Sequence, residues 1–302
     1  MQSIKEIETR LNGLEDIKHL LRSVRAMSAI RWRRAKKHLE IAQTYASYVD
    51  SQLGTVFART GPGLPANFTP PNRDGKINVG LITLTSDRGL CGNFNTGLIS
   101  KAIFVTEILN RKDKQVKIIS LGGFGERLFR SAGYEIFYSE QIPTSQAVSF
   151  INIRKVITHL QAYYESGAID ELNILYNQFN YFGSYTPKSI QILPPQLSDL
   201  AREANESEKD LMINSDPMEL KSYLLWEHLA AQLYLAYIES TVSEHSARLQ
   251  TMDAAISNLD ERMGELEIQY HTIRQEKITQ DVLEVQGNTR KRKKMKKRNQ
   301  PF

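Results

Sequence analysis

The sequence predicts an α/β fold. Long N- and C-terminal helices pair as an antiparallel coiled coil, and the chain between them forms a Rossmann-like α/β domain with a mostly parallel five-stranded sheet. Three observations carry this prediction. Apolar residues at steps of three and four run through both ends of the chain, apolar runs alternate with helical stretches in the middle, and Pro/Gly-rich segments divide the two regimes. A length of 302 residues sets a prior of two compact units with ample chain for a core.

The first element is a helix. Residues 1–58 hold no proline, and Ile4, Ile7, Leu11, Leu14, Ile17, Leu21 and Val24 mark one apolar face. The step from Leu14 to Ile17 breaks a strict seven-residue repeat once, which predicts local overwinding. Gly61, Pro62, Gly63, Pro65, Pro70, Pro71 and Asp74-Gly75 then set a boundary that helix does not cross.

The middle domain is expected over 75–195. Its elements are a strand at Ile77 to Leu84, a turn at Asp87 to Gly92, a helix from Phe94 to Leu109 and a strand at Val116 to Leu121. There follow a helix near Glu126 to Ser131, a strand at Tyr134 to Phe137, a helix from Ala147 to Glu165, and strands at Leu172 to Tyr176 and Ser189 to Leu193. Strands that alternate with helices and lack hairpin turns favour a parallel sheet covered by right-handed crossovers.

After Pro194-Pro195, a polar stretch with Asn205, Glu206 and Glu208 reads as a loop, and the last helix is expected over 210–286. Val242, His245, Leu249, Met252, Ile256, Leu259, Met263, Leu266, Tyr270 and Ile273 alternate steps of three and four, the pattern of a coiled-coil seam. Because the middle domain brings the chain back on itself, antiparallel pairing buries both apolar stripes.

Residues 287–302 form a basic tail expected to be disordered, since like charges repel and bury nothing. Arg290 to Arg298 holds eight basic residues; without them the chain has 31 basic and 34 acidic residues, a net of −3. A pI near 9.1 therefore does not make the body a nucleic-acid binder. The 41% hydrophobic and 24% charged fractions exclude general disorder, and no apolar run approaches the roughly 18 residues that span a bilayer. Cys91 has no disulfide partner, and the charged opening with Lys5, Glu6, Glu8, Glu15 and Asp16 fits neither a secretion signal nor a transit peptide. These features point to a reducing compartment, with bacterial cytosol as the simplest address.

Motifs that specify a reaction are missing: there is no phosphate loop of the Walker type, zinc-ligand pair, nucleophile elbow or double CxxC. The six histidines are scattered, and no catalytic, cofactor or metal residue is assigned. The best ligand candidate is the turn Asp87-Arg88-Gly89-Leu90-Cys91-Gly92, which opens a helix where backbone N–H groups could receive an anion. Against this, Gly89 and Gly92 simply permit a tight strand-to-helix turn, and a small packed Cys91 is preferred to an activated thiolate. On the first helix Lys18, Arg22, Arg25, Arg31, Arg33, Arg34, Lys36 and Lys37 surround Trp32. A protein-contact face, a solvated face and a nucleic-acid surface are the readings of that density.

Three segments together resemble the γ subunits of rotary F-type ATP synthases, over nearly the whole chain to about Val285. Thr85-Ser86-Asp87-Arg88-Gly89-Leu90-Cys91-Gly92 with Phe94-Asn95 matches that family's signature after its first strand. On the last helix Ser243, Glu244, Ala247, Arg248, Met252, Ala255 and Asn258 fall at the family spacing, as do Glu265, Leu266, Tyr270, Arg274, Gln275, Ile278, Thr279, Gln280 and Glu284. On the first helix Arg22, Arg25, Ala29, Arg31, Arg33, Arg34 and Ala35 fit its pattern of basic and small residues.

The resemblance implies a non-catalytic rotor shaft, one copy per complex, without cofactor, metal or nucleic acid of its own. Its helices would enter a ring of α and β subunits, and its α/β domain would sit with the ε subunit on a ring of c subunits. Contact with the cytoplasmic face of a bacterial inner or thylakoid membrane would be peripheral and only through the complex. Proton and sodium coupling both stay open, and the divergent first helix points to an alternative branch of these enzymes. Arg22, Arg25, Arg33 and Arg34 would face acidic segments of the β subunits, and Arg274 and Gln275 would make polar contacts near the top of the shaft. Ile256 and His271 depart from the usual Thr and Asn beside those contacts. The tail Arg290 to Arg298 has no counterpart in the usual pattern. A nucleotide-binding α/β enzyme and a basic coiled-coil nucleic-acid binder are the alternatives.

Overall fold

The computed structural model describes residues 4–68, 76–142, 150–195 and 215–298. The chain divides into two compact units, one of Met27–Thr251 and one of Met1–Ala26 with Met252–Phe302. Helix α1 (Ile4–Thr60) and helix α5 (Pro217–Arg298) contribute to both.

In the unit of Met27–Thr251 the elements between these helices are β1 (Asn78–Leu84), α2 (Phe94–Arg111), β2 (Gln115–Leu121), α3 (Gly123–Ser131), β3 (Ile136–Glu140), α4 (Phe150–Glu165), β4 (Glu171–Tyr181) and β5 (Ser184–Leu193). They form a five-stranded sheet in the order β3-β2-β1-β4-β5. The first four strands are parallel and β5 is antiparallel to β4. Alternate residues sort the core into two layers, as a period of two requires. Leu81, Ile118 and Leu175 pack with Leu98, Ile99 and Ala102 of α2 and Phe129 of α3. Ile82, Leu84, Ile119, Leu121 and Ile174 pack on the other face with Ile153, Val156 and Leu160 of α4, Leu229, Leu233 and Val242 of α5, and Leu39, Ala42 and Leu53 of α1. This is the expected mostly parallel sheet wound on both faces.

Where the structure departs from expectation the reasons are local. The chain does hold a hairpin: β4 and β5 run past Tyr176 and back from Ser184 through Phe182 and Gly183, whose φ of 84° suits glycine. The expected strand ends at Tyr176, yet β4 continues through Asn177, which is buried and donates its side-chain amide to the Phe94 carbonyl at 2.9 Å. β3 begins at Ile136 rather than Tyr134, because the Tyr134 amide bonds back to the Phe129 carbonyl at 3.0 Å and closes α3.

The ends of the helices in this unit are closed by named partners. α1 stops at Gly61, which has a φ of 83°. There the buried Lys221 ammonium donates to the carbonyls of Gly61 at 2.7 Å and Gly63 at 2.9 Å and lies 4.6 Å from the Phe57 ring centroid. At the start of α5, Asp216 accepts the Met218 amide at 2.8 Å. Along the two helices, Asp50 meets His228 Nδ1 at 2.5 Å and accepts from Gln232 at 2.9 Å.

In the other unit α1 and α5 pair antiparallel. Glu8 bonds Tyr270, Lys18 pairs with Asp260 and Arg25 with Asp253, so the partners step in opposite directions. Met252 is buried, and Ile256, Leu259, Met263, Leu266, Tyr270 and Ile273 are half-buried between exposed neighbours, which is the seam read from the sequence. On α1 the seam differs at one place. Ile17 is 48% exposed, and Lys18 takes the slot, laying its stem in the seam while its ammonium reaches Asp260. With Lys18 included, Leu14, Lys18 and Leu21 step by four and three, so the break in the repeat moves from Leu14–Ile17 to Leu21–Val24.

The boundaries drawn at 58, 75, 195 and 210 compare with helix and strand ends at Thr60, Asn78, Leu193 and Pro217. Pro70, Pro71, Asp74-Gly75, Ala147, Asn205, Glu206, Glu208 and residues 299–302 lie outside the described residues. The backbone helix of α5 continues to Arg298, through most of the stretch expected as a disordered tail. Lys, Arg and Met are good helix formers. No described helix is long and apolar enough to cross a membrane.

Candidate functional site at the carboxyl edge of the sheet

In an open sheet of this strand order, ligands bind beyond the carboxyl ends of the strands where the winding reverses, here between β1 and β4. The sequence-predicted turn lies at that edge. Its first residues cap α3: Asp87 accepts the Gly123 amide at 3.0 Å, the Ser86 carbonyl that of Phe124 at 3.0 Å, and the Thr85 hydroxyl that of Gly125 at 3.0 Å. The first N–H groups of α3 are therefore occupied by the chain's own oxygens, whereas the helix that the turn itself opens is α2. Gly122 has a φ of 115°, and a Cβ there would strike the Thr85 carbonyl, so this approach requires glycine.

The second half of the turn faces α5 with acceptors. Arg248 donates to the Arg88 carbonyl at 3.1 Å and to the Gly89 carbonyl at 3.3 Å. These carbonyl oxygens thus receive a cation from the chain itself, which favours the structural role of the turn. Of the two glycines, Gly92 takes the left-handed conformation at φ 58°, whereas the other left-handed residue is Leu90 at φ 64°, not Gly89. Cys91 is buried and receives the Asn95 amide at 3.3 Å; burial pushes its thiol pKa up, which removes the activated-thiolate reading.

Arg248 is itself held by Glu244 at 2.7 Å, one turn earlier on α5, with both side chains less than a tenth exposed. Burial raises the Glu244 pKa and the Arg248 charge opposes that rise. His245 is pushed down to about 3 by burial and then by the charges of Arg248 and Arg31, so its neutral Nδ1 accepts from Arg248 at 3.2 Å. Further along the crevice Ser240 donates to the Leu84 carbonyl at 3.4 Å, and Glu239 bonds Tyr176 and Gln178, with burial raising its pKa. Ala236 to Leu249 are buried without interruption. The place where a doubly wound sheet takes a ligand is filled by a helix of the same chain.

The contact candidates fall in different places. Arg22 and Arg25 lie in the unit of the chain ends, as do Arg274 and Gln275, and Arg25 is paired with Asp253. Arg33 and Arg34 lie exposed on α1 in the larger unit. His271 is exposed, and Ile256 is half-buried at the seam. Sequence reasoning missed the hairpin tip, where Phe182 meets Trp32 with ring centroids 5.3 Å apart. Gly183, set between the alternating aromatic residues Phe179, Tyr181 and Tyr185, was the available signal.

Comparison with known proteins agrees with this architecture. A family model described as ATP synthase matches residues 3–289, ending just before the basic run that starts at Arg290. ATP synthase gamma chains from two Staphylococcus aureus strains, JH9 and Newman, are each 28% identical over 290 residues, covering 96% of this chain and 99% of theirs. In fold, the chain is similar to one in the Euglena gracilis mitochondrial ATP synthase OSCP/F1/c-ring structure, with TM-score 0.62, 19% identity and coverage of 99% of this chain and 98% of that one. It is also similar to one in the Tetrahymena thermophila mitochondrial ATP synthase central stalk/c-ring structure, with TM-score 0.55, 18% identity and coverage of 78% and 99%. A family match over nearly the whole length, on this fold, places the chain in the ATP synthase gamma family.

Proposed function

We propose that this chain is the central-stalk rotor, the γ subunit, of an F-type ATP synthase. It carries torque between a membrane ring of c subunits driven by ion flow and a catalytic ring of α and β subunits. The observation that supports this most is the filled crevice. A sheet that could have held a ligand instead grips α5 through Arg248, so a turning force applied to the sheet domain passes into the helix as load on buried hydrogen bonds. The chain does no bond chemistry. Its asymmetry selects which catalytic site of the ring is open, a population shift driven by differential contact.

In this reading the ε subunit and the c-ring meet the sheet domain, and the position is peripheral, on the cytoplasmic face of a bacterial inner or a thylakoid membrane. Arg22, Arg25, Arg33 and Arg34 face acidic segments of the catalytic ring, and Arg274 and Gln275 supply polar contacts near the end of the shaft. The run Arg290 to Arg298 is an electrostatic tether to an acidic partner surface; truncation after Gly287 is expected to change the salt dependence of hydrolysis, and an unchanged profile eliminates the tether.

Co-expression with the cognate α and β subunits tests the assignment. Mass determination of the purified complex is expected to give one copy of this chain per three αβ pairs, with ATP hydrolysis dependent on its presence. Failure to assemble with folded partners overturns it.

A further inference from the structure

The β4–β5 hairpin projects to a tip at Tyr181–Ser184 that touches both long helices within the larger unit. On α1 the Phe182 ring meets Trp32 edge to face, with centroids 5.3 Å apart and planes at 84°. Trp32 Nε1 is buried without a hydrogen-bond partner among the described residues, so ring contacts fix this indole: Phe182 on one side and the Lys36 ammonium 5.4 Å from the ring centroid. On α5 the Gly183 amide donates to the Ser246 hydroxyl at 2.6 Å. Gly183 has a φ of 84°, and a Cβ there would run into the Gln250 side chain, so the backbone itself lies against the helix.

Ser246 and Arg248 are two residues apart, about 200° around an α-helix. Ala247 between them packs with Cys91 of the turn, with Phe94 just after it and with Tyr185 of β5, so the turn and the hairpin hold adjoining sectors of α5, and two separate grips resist rotation of the helix about its own axis where one does not. We propose that the hairpin tip is a strap that locks α1 and α5 to the sheet, with Phe182 and Trp32 as positioning residues for torque transmission. Only the transmission part rests on the rotor reading. Loosening the strap lets the helices slip under load while the resting fold and the catalytic ring stay intact.

The test uses Phe182→Ala and Phe182→Tyr, each in the assembled complex and in the full chain alone. In the complex, Phe182→Ala is expected to keep ATP hydrolysis and to lose most ATP-driven ion pumping, and Phe182→Tyr, which keeps the ring, is expected to restore pumping. Full pumping by the alanine variant, or the same loss in both variants, overturns the role in transmission. In the chain alone, hydrogen exchange at the Gly183 amide is expected to rise about tenfold in Phe182→Ala with the core amides of β1 unchanged. Unchanged Gly183 exchange, or an alanine variant whose core amides loosen equally, overturns the strap. Should the wild-type chain itself fail to assemble, the rotor reading falls, and the exchange measurement still decides the strap.

Discussion

Arg248 is the residue on which most of the buried polar geometry converges, linking Glu244, His245 and two carbonyls of the turn. Replacing it by alanine leaves the Glu244 carboxyl buried without its cation, and a loss of about 3 to 5 kcal/mol in chemical denaturation is expected. Glu244→Gln with Arg248 intact should cost clearly less. His245 supplies a pH signature. Its pKa is lowered from 6.5 to about 3, so the unfolded chain takes up a proton that the folded one refuses, and stability is lost as pH falls from 6.5 toward 3. At pH 5.5 this contributes about 1.4 kcal/mol of destabilisation. The raised Glu244 pKa acts in the opposite sense, but it is common to both proteins when His245→Gln is compared with wild type. The denaturation midpoint of the variant relative to wild type is expected to rise as pH falls from 7 to 5; parallel profiles contradict this account. In the sequence Glu244, His245 and Arg248 appear only as spaced helical residues, because the carbonyls that complete the cluster lie some 160 residues away in the chain.

At the level of elements, periodicity located both long helices and all five strands, and it failed where an apolar residue and its polar neighbour competed for one slot. Ile17 looks like the seam residue because it is apolar, but the seam passes through Lys18, whose stem packs and whose charge finds Asp260. Ile17→Gln is accordingly expected to change stability by less than about 0.5 kcal/mol, whereas Leu21→Ala should cost about 2 kcal/mol. Thermal unfolding of the two variants checks this, and a larger loss for Ile17→Gln returns the seam position to Ile17. The hairpin escaped for a related reason. Asn177 and Gln178 are polar, but α2 supplies the Phe94 carbonyl and α5 supplies Glu239 as partners, a tertiary effect that local pattern does not carry. Lys221 is similar: a lysine near the start of a helix reads as solvated, yet it is fully buried as the cap of α1. Lys221→Met should leave two carbonyls unsatisfied and cost about 1 to 3 kcal/mol.

For the whole molecule, the long apolar stripes, the interrupting α/β domain and three motif segments made fold and family legible before any geometry. The sequence left open whether the turn at Asp87 binds a ligand or builds the fold; α5 meets that edge with Ser240 on the Leu84 carbonyl and Arg248 on the turn, which favours the structural role. The proposed role of the cationic stretch of α1 as a partner surface is tested in the assembled complex. Reversing Arg22, Arg25, Arg33 and Arg34 together is expected to uncouple pumping from hydrolysis, and unchanged coupling removes that role.

The central claim is that this chain turns. Because Cys91 is only 2% exposed and its thiol is held protonated, a cysteine introduced at Phe104, 54% exposed on α2, offers a selective attachment point for a probe. With the catalytic ring fixed to a surface and a bead on that cysteine, addition of ATP is expected to drive stepwise rotation in one direction. A complex that hydrolyses ATP at the same rate while the bead shows no directed rotation would contradict the account.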